Sequence, residues 1–375
     1  MKLIHLADLH LGKQLHAFSL LDIQRELLMQ VADYAADHDI DGVMIAGDVY
    51  DRAIPPYEAV NLLDEFCERI VLEQGKKLFL ISGNHDSADR LSFVSSILRK
   101  QGFYISTHIE ETIPFVETGN VRVYMLAFGR PSDFHHVMPE CPTRSWNDAL
   151  SVYMNAQPKP DHNYFNILMT HQFVGHDVLS VVTGESEMSL AVGGSEVVDP
   201  HLFEAFDYVA LGHLHAPQYI LKETMRYSGS LMRYAFDEVN QTKSFPVIDT
   251  ESGEVTLVDL VPSVNLARYE GTFKDLMDPD TIAKKDDLMA FDLLDDQIVP
   301  HAVENLRTLY PHVLQVLYPG LMKSRPVQSV DTTKLRQGKL DDMYRDFFES
   351  VMGRPVTAEE LGVVMDLLED KEDDA

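Results

Sequence analysis

The first hundred residues alternate short apolar runs with longer segments whose apolar residues recur every three or four positions, and no other feature restricts the fold as strongly. The short runs, 2–6, 42–46 and 78–81, have the length and composition of buried strands. The segments between and after them carry helical stripes at Leu20, Ile23, Leu27, Val31 and Tyr34, at Val60, Leu63, Cys67 and Ile70, and at Leu91, Val94 and Leu98. Because strands joined by helices pair in parallel, the pattern predicts an α/β fold around a parallel sheet.

Beyond residue 110 the pattern is richer in strands than in helices. Two hairpins and two buried strands are predicted at 114–117 with 121–126, at 246–250 with 255–260, at 165–169 and at 208–211. The polar, glycine-containing segment 175–195 separates the last two strands. This loop is long enough to be functional.

Composition divides the chain into three parts. Residues 1–262 are predicted to form the main domain, and residues 263–335 a small αβ capping domain. Residues 336–375 are predicted to form a helical tail, whose last short helix opens with the capping box Thr357–Glu360. The tail has too few apolar residues to form a core of its own, so we expect it to dock on a partner protein.

The net charge of −29 limits how this chain can bind nucleic acid. A nucleic-acid-binding surface usually carries clustered Lys and Arg, so this acidic balance disfavours broad contact with phosphates. Any binding to DNA would then depend largely on a partner protein. The chain also has no apolar run of 18 residues and only two cysteines, Cys67 and Cys141, which predicts a protein of the reducing cytoplasm without a membrane span.

Five sets of polar residues each follow a predicted strand directly. They are Asp8 with His10, Asp48, Asn84 with His85 and Asp86, His171, and His213 with His215. Open α/β sheets place their functional sites at the carboxyl ends of strands, so these side chains are expected to lie close together. In extended backbone, residues two apart point to one side, which predicts that Asp8 and His10 converge, as do His213 and His215.

The residue types in these sets favour a metal site. Imidazole and carboxylate ligands together suit Mn²⁺, Fe²⁺ or Zn²⁺, and a carboxylate such as Asp48 can bridge two cations. Two metals about 3.5–4 Å apart can clamp a phosphate ester and lower the pKa of a water. Each set alone is weak evidence, since Asn-His-Asp also occurs in turns. Five sets, each after a strand, make a chance arrangement implausible.

In their order along the chain, D-x-H, G-D, G-N-H-D, T-H and G-H-x-H resemble the motifs of the calcineurin-like metallophosphoesterases. The flanking segments "DLHLGK" and "NHDSADRL" are similar to those of the double-strand-break repair nucleases within that superfamily. The resemblance covers nearly the whole chain. It implies a two-sheet sandwich flanked by helices, and two divalent metal ions with Mn²⁺ as the expected ion.

The resemblance also implies roles for individual residues. One metal would be held by Asp8, His10, Asp48 and His215, and the other by Asp48, Asn84, His171 and His213. His85 would assist proton transfer or stabilise the phosphate, with Asp86 orienting its ring. Some archaeal relatives have a second catalytic His where this chain has Asp51, so that role is not carried over. Arg52, Arg90 and His176 are candidate substrate contacts, with structural ion pairs or a surface position as the alternatives.

The activity implied by the resemblance is cleavage of DNA, as a 3′-to-5′ exonuclease on double strands and an endonuclease on single strands and hairpins. Such nucleases form a homodimer bound to two copies of a coiled-coil ATPase. Two other functions stay open at this point. A phosphatase or cyclic-nucleotide phosphodiesterase would keep the five motifs without needing 265–375, and a non-catalytic scaffold would tend to lose ligands, whereas all seven ligand positions and His85 are present.

Overall fold

A computed structural model describes residues 1–175, 181–182 and 196–322, together with 356–357 and 361. The strands are β1 (Lys2–Leu6), β2 (Gln14–Leu15), β3 (Phe18–Ser19), β4 (Gly42–Ala46), β5 (Lys77–Ile81), β6 (Phe103–Ser106), β7 (Phe115–Thr118), β8 (Val121–Leu126), β9 (Phe165–Thr170), β10 (Tyr208–Leu211), β11 (Gln218–Ile220), β12 (Lys222–Tyr227), β13 (Ser244–Asp249), β14 (Val255–Asp259), β15 (Leu266–Gly271), β16 (Leu288–Leu293) and β17 (Val313–Leu317). The α-helices are α1 (Leu21–Asp37), α2 (Tyr57–Cys67), α3 (Ala88–Leu91), α4 (Ser95–Leu98), α5 (Pro131–Val137), α6 (Trp146–Ala156), α7 (Phe273–Leu276), α8 (Ala302–Leu306) and α9 (Pro319–Met322). A π-helix, Glu68–Glu73, continues α2, and short 3₁₀ helices lie at Arg99–Gln101, Pro200–Phe203 and Phe236–Glu238.

Two six-stranded sheets form the main body. The first has the order β14-β13-β1-β4-β5-β6, and the second the order β11-β12-β10-β9-β8-β7. Strands β1, β4, β5 and β6 run parallel, as do β8, β9, β10 and β12, whereas β13, β14, β7 and β11 pair antiparallel at the edges. The predicted α/β class, with parallel strands joined by helices, is confirmed.

The two sheets pack face to face, with helices on their outer surfaces. Leu3, Met44 and Phe79 of the first sheet share a buried cluster with strands of the second. On the other face of the first sheet, residues of α1 and α2 complete a core with β1, β4 and β5. Helices α5 and α6 cover the second sheet in the same way. Burial on both faces explains why these parallel strands appear in the sequence as continuous apolar runs.

Two predicted helical stripes differ from the structure. In α2 the buried residues are Ala59, Leu62, Leu63 and Phe66, whereas Val60 is 42% exposed. The stripe predicted through Leu91 and Leu98 is not one helix but the two short helices α3 and α4. Val94 interrupts them with left-handed backbone (φ 56°), and the adjacent Phe93 is 76% exposed. Apolar residues there point outward, so apolar spacing alone misplaced the buried face.

A third, parallel sheet of order β15-β16-β17 lies within the predicted capping domain. It has its own buried cluster, which includes Leu276, Phe291, Leu306 and Tyr310. The limits 263–335 remain a prediction, since 323–335 lie outside the described residues. Nearly all of the predicted tail 336–375 also lies outside them. Among the helices that the structure describes, none has the length and apolar character to cross a membrane.

Candidate metal centre

The carboxyl ends of five parallel strands meet where the two sheets face each other. Strands β1, β4 and β5 are neighbours in the first sheet, and β9 and β10 are neighbours in the second. The loops after these strands bring together all seven predicted ligands: Asp8, His10, Asp48, Asn84, His171, His213 and His215. All of them are buried except Asn84, which is half-buried. The expectation that the five sets converge is therefore confirmed.

The backbone that presents these ligands is not extended. Asp8, His10, Asp48 and His213 have positive φ values of 51°, 42°, 48° and 104°. The side chains do converge, but the predicted reason, that residues two apart on an extended strand point to one side, is wrong. They meet because the loop backbone that carries them is left-handed. Non-glycine residues in such conformations cost about 1–3 kcal/mol each and concentrate at functional sites.

One side of the centre, here called the His215 half, is formed by His10 and His215. Their Nε2 atoms lie 3.1 Å apart. The Nδ1 atom of His215 faces away from the centre, 3.2 Å from the Glu238 carboxylate, which accepts from Lys243 at 2.7 Å. Glu238 and Lys243 are both buried. Charged side chains therefore support this half.

The opposite side, here called the His171 half, is formed by Asn84, His171 and His213. The Asn84 Oδ1 atom lies 3.1 Å from both His171 Nε2 and His213 Nδ1. The Nδ1 atom of His171 is 2.7 Å from the Ala46 carbonyl oxygen, which fixes that nitrogen as the N–H donor and leaves Nε2 to face the centre. Backbone supports this half: a Cβ on Gly212 would overlap the same carbonyl oxygen.

Asp48 lies between the halves. Its Oδ2 atom is 3.7 Å from His10 Nε2 and 3.3 Å from His171 Nε2. Asp8 is close to both as well. In the His171 half its carboxylate accepts from the His213 backbone N–H at 3.0 Å, and in the His215 half it offers an oxygen within 4.8 Å of ring nitrogens of His10 and His215. A carboxylate placed like that of Asp48 can serve two cations at once.

The charges of the centre are strongly coupled. Burial, reinforced by the charge of Asp48, raises the pKa of the Asp8 carboxyl to about 7. Burial alone would lower the pKa of His171, but the Asp48 carboxylate outweighs it and raises that pKa to about 9. Burial lowers the pKa of His213 to about 3. A cation that displaces protons from Asp8 and His171 would make metal binding pH-dependent.

The donor set fits divalent cations. Asp8, His10 and His215 each offer one atom within 4.8 Å of the others, and so do Asp8, Asp48 and His171. Among the described residues, the cationic groups within 4.0 Å of the two carboxylates are histidine rings only. Buried carboxylates are costly unless paired, and a cation would compensate them. Imidazole, carboxylate and amide oxygen together suit Mn²⁺, Fe²⁺ or Zn²⁺.

His85 lies at the open side of the centre. Its side chain is 37% exposed, and its Nε2 is 4.0 Å from Asp48 Oδ2. Its Nδ1 is 2.9 Å from the Asp51 carbonyl oxygen, so Nδ1 is the donor and Nε2 is directed to the centre. The His85 backbone N–H donates to Asp48 Oδ1 at 2.9 Å, which ties the two loops together.

Asp86 has a different role from the one expected. Its carboxylate accepts backbone N–H groups of Gly83 (2.9 Å), Val49 (3.1 Å) and Tyr50 (3.0 Å). These bonds fasten the loop after β5 to the loop after β4. The prediction that Asp86 orients the His85 ring is wrong, because that ring bonds a main-chain carbonyl instead.

The predicted substrate contacts are exposed side chains where the structure describes them. Arg52 has a side chain that is 67% exposed, and its Nε lies 3.7 Å from the Asp51 carboxylate. That carboxylate also pairs with Lys13 at 3.0 Å. Arg90 is exposed on α3. His176 lies outside the described residues. Contact of these residues with substrate stays a prediction.

Sequence reasoning missed a buried amide behind the Asp8–His10 loop. Gln24 of α1 is fully buried, and its Nε2 donates to the carbonyl oxygens of Leu9 (3.1 Å) and His10 (2.8 Å) and to the Tyr234 hydroxyl (3.0 Å). The signal was a polar residue on the inward face of a predicted amphipathic helix, where polar side chains need a specific partner.

Glu238 and Lys243 were missed for a different reason. Glu238 ends the segment "YSGSLMRYAFDE", which carries none of the predicted ligands. Burial alone would raise the pKa of Glu238, but the hydrogen bond from His215 and the charge of Lys243 outweigh it and lower that pKa to about 2. The carboxylate is thus charged although it is buried. Spacing in the sequence could not reveal that it faces His215.

Three kinds of comparison relate this chain to known proteins. Residues 1–217 match the family described as calcineurin-like phosphoesterase. The chain is 34% identical over 319 residues to SbcD, the D subunit of the SbcCD nuclease, of Staphylococcus epidermidis, and the alignment covers 84% of each chain. It is 32% identical over 364 residues to SbcD of Staphylococcus saprophyticus, covering 95% of each. The solved structure of TT1561 from Thermus thermophilus aligns with 69% of this chain and 99% of its own, at 11% identity and a TM-score of 0.40.

The fold and the family match define a calcineurin-like phosphoesterase. Within that class the chain belongs to the family of SbcD nuclease subunits, to which it aligns along most of its length. It is therefore a metal-dependent nuclease that hydrolyses phosphodiester bonds. A phosphatase or cyclic-nucleotide phosphodiesterase, the alternative left open by the motifs, is not favoured.

Proposed function

We propose that this chain cuts DNA as the nuclease component of a complex with an SbcC-type coiled-coil ATPase, in DNA repair, recombination and replication. We further propose 3′-to-5′ exonuclease action on double strands and endonuclease action on single strands and hairpins. The observation that carries the proposal is the convergence of six other predicted ligand side chains around Asp48 from two sheets. The ATPase would supply DNA engagement, which a chain of net charge −29 lacks.

Two divalent cations would be held, one by Asp8, His10, Asp48 and His215 and the other by Asp48, Asn84, His171 and His213, with Mn²⁺ as the expected ion. When bound, they would polarise the phosphate and lower the pKa of a water. Both oxygens of Asp48 are oriented, since Oδ1 accepts from the His85 N–H and Oδ2 faces the imidazoles. The protein thus fixes the shared carboxylate before substrate arrives, which lowers the reorganisation needed in the transition state.

His85 would act on the substrate through Nε2. Its Nδ1–H is committed to the Asp51 carbonyl, so Nε2 can hold a proton and pass it to the leaving oxygen of the cleaved ester. A side chain that is 37% exposed can reach a phosphodiester, whereas the buried ligands cannot. Asp86 would contribute indirectly, by clamping the two loops that carry Asp48 and His85.

The test is cleavage of hairpin DNA with Mn²⁺ or Mg²⁺ by wild type, His85→Gln and the control His108→Gln. His108 is an exposed histidine that pairs with Asp89 on the surface. We expect His85→Gln to lose about 10²–10⁴-fold in rate while still binding Mn²⁺, because only proton transfer is removed. The His108→Gln variant should keep full activity. Equal cleavage by His85→Gln would remove the catalytic assignment.

A chromogenic phosphodiester compared with hairpin DNA addresses the choice of substrate. A nuclease should cleave the hairpin more efficiently, since binding contacts along DNA contribute to transition-state stabilisation. A preference for the small ester would instead support the phosphodiesterase alternative.

We also propose that the chain forms a homodimer through apolar residues that the single chain leaves exposed. Ile54 and Tyr57 are 70% and 74% exposed after β4, and Phe93 and Ile97 are 76% and 64% exposed after β5. Because β4 and β5 are parallel neighbours, both segments leave the same edge of the sheet. Exposed apolar residues in adjacent segments are typical of an interface.

Light scattering tests this interface. Tyr57→Lys should shift the dimer toward monomer, because a charge would be buried there. Tyr219→Lys, at a residue 58% exposed on β11, is the matched control and should leave the mass unchanged. A monomeric wild type, or a dimer that tolerates Tyr57→Lys, would contradict this proposal.

A further inference from the structure

The buried ion pair behind His215 has no direct part in the proposed chemistry. Glu238 is fully buried, and its Oε1 lies 3.2 Å from His215 Nδ1. Its Oε2 accepts from Lys243 Nζ at 2.7 Å, and the same carboxylate accepts the Tyr234 backbone N–H at 3.3 Å. Both carboxylate oxygens are therefore engaged, one of them by the ligand ring.

Lys243 ties this pair to the main chain of the same ligand. Besides Glu238, its Nζ donates to the His215 carbonyl oxygen (2.8 Å), to Ser230 Oγ (2.9 Å) and to Gln241 Oε1 (2.7 Å). His215 is thus held at its ring by the carboxylate and at its carbonyl by the ammonium group. The pair contacts the ligand at two points, which fixes both the position and the orientation of the imidazole.

Energetics argue against stability as the sole reason for this arrangement. Removing a carboxylate and an ammonium group from water is unfavourable, and the attraction between the two charges in the interior often does not compensate for it. In the His171 half an uncharged group has the same role, because the Ala46 carbonyl oxygen accepts from His171 Nδ1 at 2.7 Å. A carboxylate raises the basicity of the imidazole more than a neutral carbonyl does.

We propose that Glu238, held by Lys243, fixes the His215 tautomer and thereby sets the cation affinity of the His215 half separately from that of the His171 half. The inference rests on the proposed metal site and deepens it. Because Nδ1–H donates to Glu238, His215 presents an unprotonated Nε2 to the centre. This unprotonated Nε2 lies 3.1 Å from His10 Nε2, from which it can accept a hydrogen bond in the metal-free protein. Glu238 and Lys243 are positioning residues, since neither faces substrate.

The test is titration of Mn²⁺ alone into the full chain, followed by calorimetry and by the electron paramagnetic resonance of free Mn²⁺. Glu238→Leu should weaken one of two binding steps about 10–100-fold, the usual cost of losing the outer partner of a metal-bound histidine. The other step should keep its wild-type affinity. Glu238→Gln keeps an oxygen that can accept from Nδ1, so it should lose less.

The matched control is Asp287→Asn. Asp287 is a carboxylate only 6% exposed that accepts the Asn265 backbone N–H at 2.9 Å, next to the third sheet. The Asp287→Asn variant removes a buried charge away from the metal centre. Both of its Mn²⁺ affinities should therefore stay at the wild-type value. A drop in this variant equal to that of Glu238→Leu would overturn the proposal, because the effect would then be general destabilisation.

The second readout is independent of bound metal. In metal-free protein labelled with ¹⁵N-histidine, His215 should show a protonated Nδ1 and an unprotonated Nε2, and Glu238→Leu should shift it to a mixture of tautomers. If Glu238→Leu does not fold, as judged by circular dichroism, Glu238→Gln is measured in both assays. An unchanged tautomer with two unchanged affinities would overturn the inference. A wild type with the expected tautomer and no Mn²⁺ binding would instead contradict the proposed metal site, and would leave only the tautomer assignment standing.

Discussion

The two halves of the centre present similar ligands but are supported by different parts of the chain. The His171 half relies on main-chain groups, with the Ala46 carbonyl on the ligand ring and Gly212 in a space where no Cβ fits. The His215 half relies instead on two buried side chains, Glu238 and Lys243. Backbone support depends on the packing of the sheets and tolerates no added volume. Side-chain support instead depends on specific chemical groups, which substitution can remove one at a time.

The largest expected effect is that of added volume in the His171 half. Gly212→Ala would place a Cβ against the Ala46 carbonyl oxygen and the His171 ring. Because the obstacle is backbone of the opposite sheet, we expect a loss of more than about 3 kcal/mol, at the upper end of overpacking costs. Urea unfolding of metal-free protein measures it. Gly320→Ala, where a Cβ would meet nothing within 4 Å, is the control, and equal midpoints for the two variants would show that backbone packing does not limit this half.

A smaller effect is expected from removing the amide behind the Asp8–His10 loop. Gln24→Leu removes the acceptor of the Gly12 backbone N–H and one of the donors to each of the Leu9 and His10 carbonyl oxygens, which should cost about 2–3 kcal/mol by the penalty for unsatisfied buried groups. Gln30→Leu on the same helix is the control, because Gln30 is only partly buried and bonds the Val261 carbonyl. If urea midpoints fell equally for both variants, the buried amide would have no special part in supporting the His215 half.

The smallest effect concerns the contact that joins the two sheets behind both halves. His5 on β1 is fully buried, with Nδ1 3.0 Å from the Tyr208 hydroxyl on β10. Burial, together with the charge of Arg226, lowers the pKa of His5 to about 3. Below the ordinary pKa of histidine, His5 is protonated in the unfolded chain but stays neutral in the folded protein. The stability that depends on a neutral His5 is therefore at its full value above about pH 6.5 and decreases as the pH drops toward 3.

Urea unfolding at pH 7 and pH 5 measures this effect. Between pH 7 and pH 5 the free energy of unfolding of the wild type should fall by about 2 kcal/mol more than that of His5→Leu. This value follows from about 1.5 pH units below the ordinary pKa of histidine, at roughly 1.36 kcal/mol per unit. His38→Leu removes an exposed imidazole and should keep the wild-type pH dependence. Parallel pH profiles for wild type and His5→Leu would show that His5 is not kept neutral between the sheets.

The sequence was sufficient to predict which side chains converge at the centre but not to explain what holds them in position. Strand positions and the order of motifs predicted that Asp8, Asp48, Asn84, His171 and His213 would meet, because parallel strands present their carboxyl ends at one edge. The left-handed backbone at Asp8 and Asp48 could not be predicted, because aspartate adopts positive φ more often than most residues but still in a minority of cases.

The supporting residues escaped prediction because their partners lie far along the chain. Gln24 bonds Tyr234 across 210 positions, and a lone buried glutamine does not indicate its partner. Asp86 was misassigned because adjacency to His85 suggested a side-chain bond, whereas the carboxylate turns to main-chain N–H groups. Short-range spacing locates ligands that follow strands, but it does not locate groups that contact them from other elements.

Asp48 is the residue on which both halves depend, so Mn²⁺ titration of Asp48→Asn tests the account most directly. Its Oδ2 lies 3.7 Å from His10 Nε2 and 3.3 Å from His171 Nε2, and an asparagine could still accept the His85 N–H. We expect wild type to bind two Mn²⁺ per chain and Asp48→Asn to lose affinity at both positions, with hairpin cleavage abolished. Two Mn²⁺ bound at wild-type affinity by Asp48→Asn would contradict a single centre shared between the two halves.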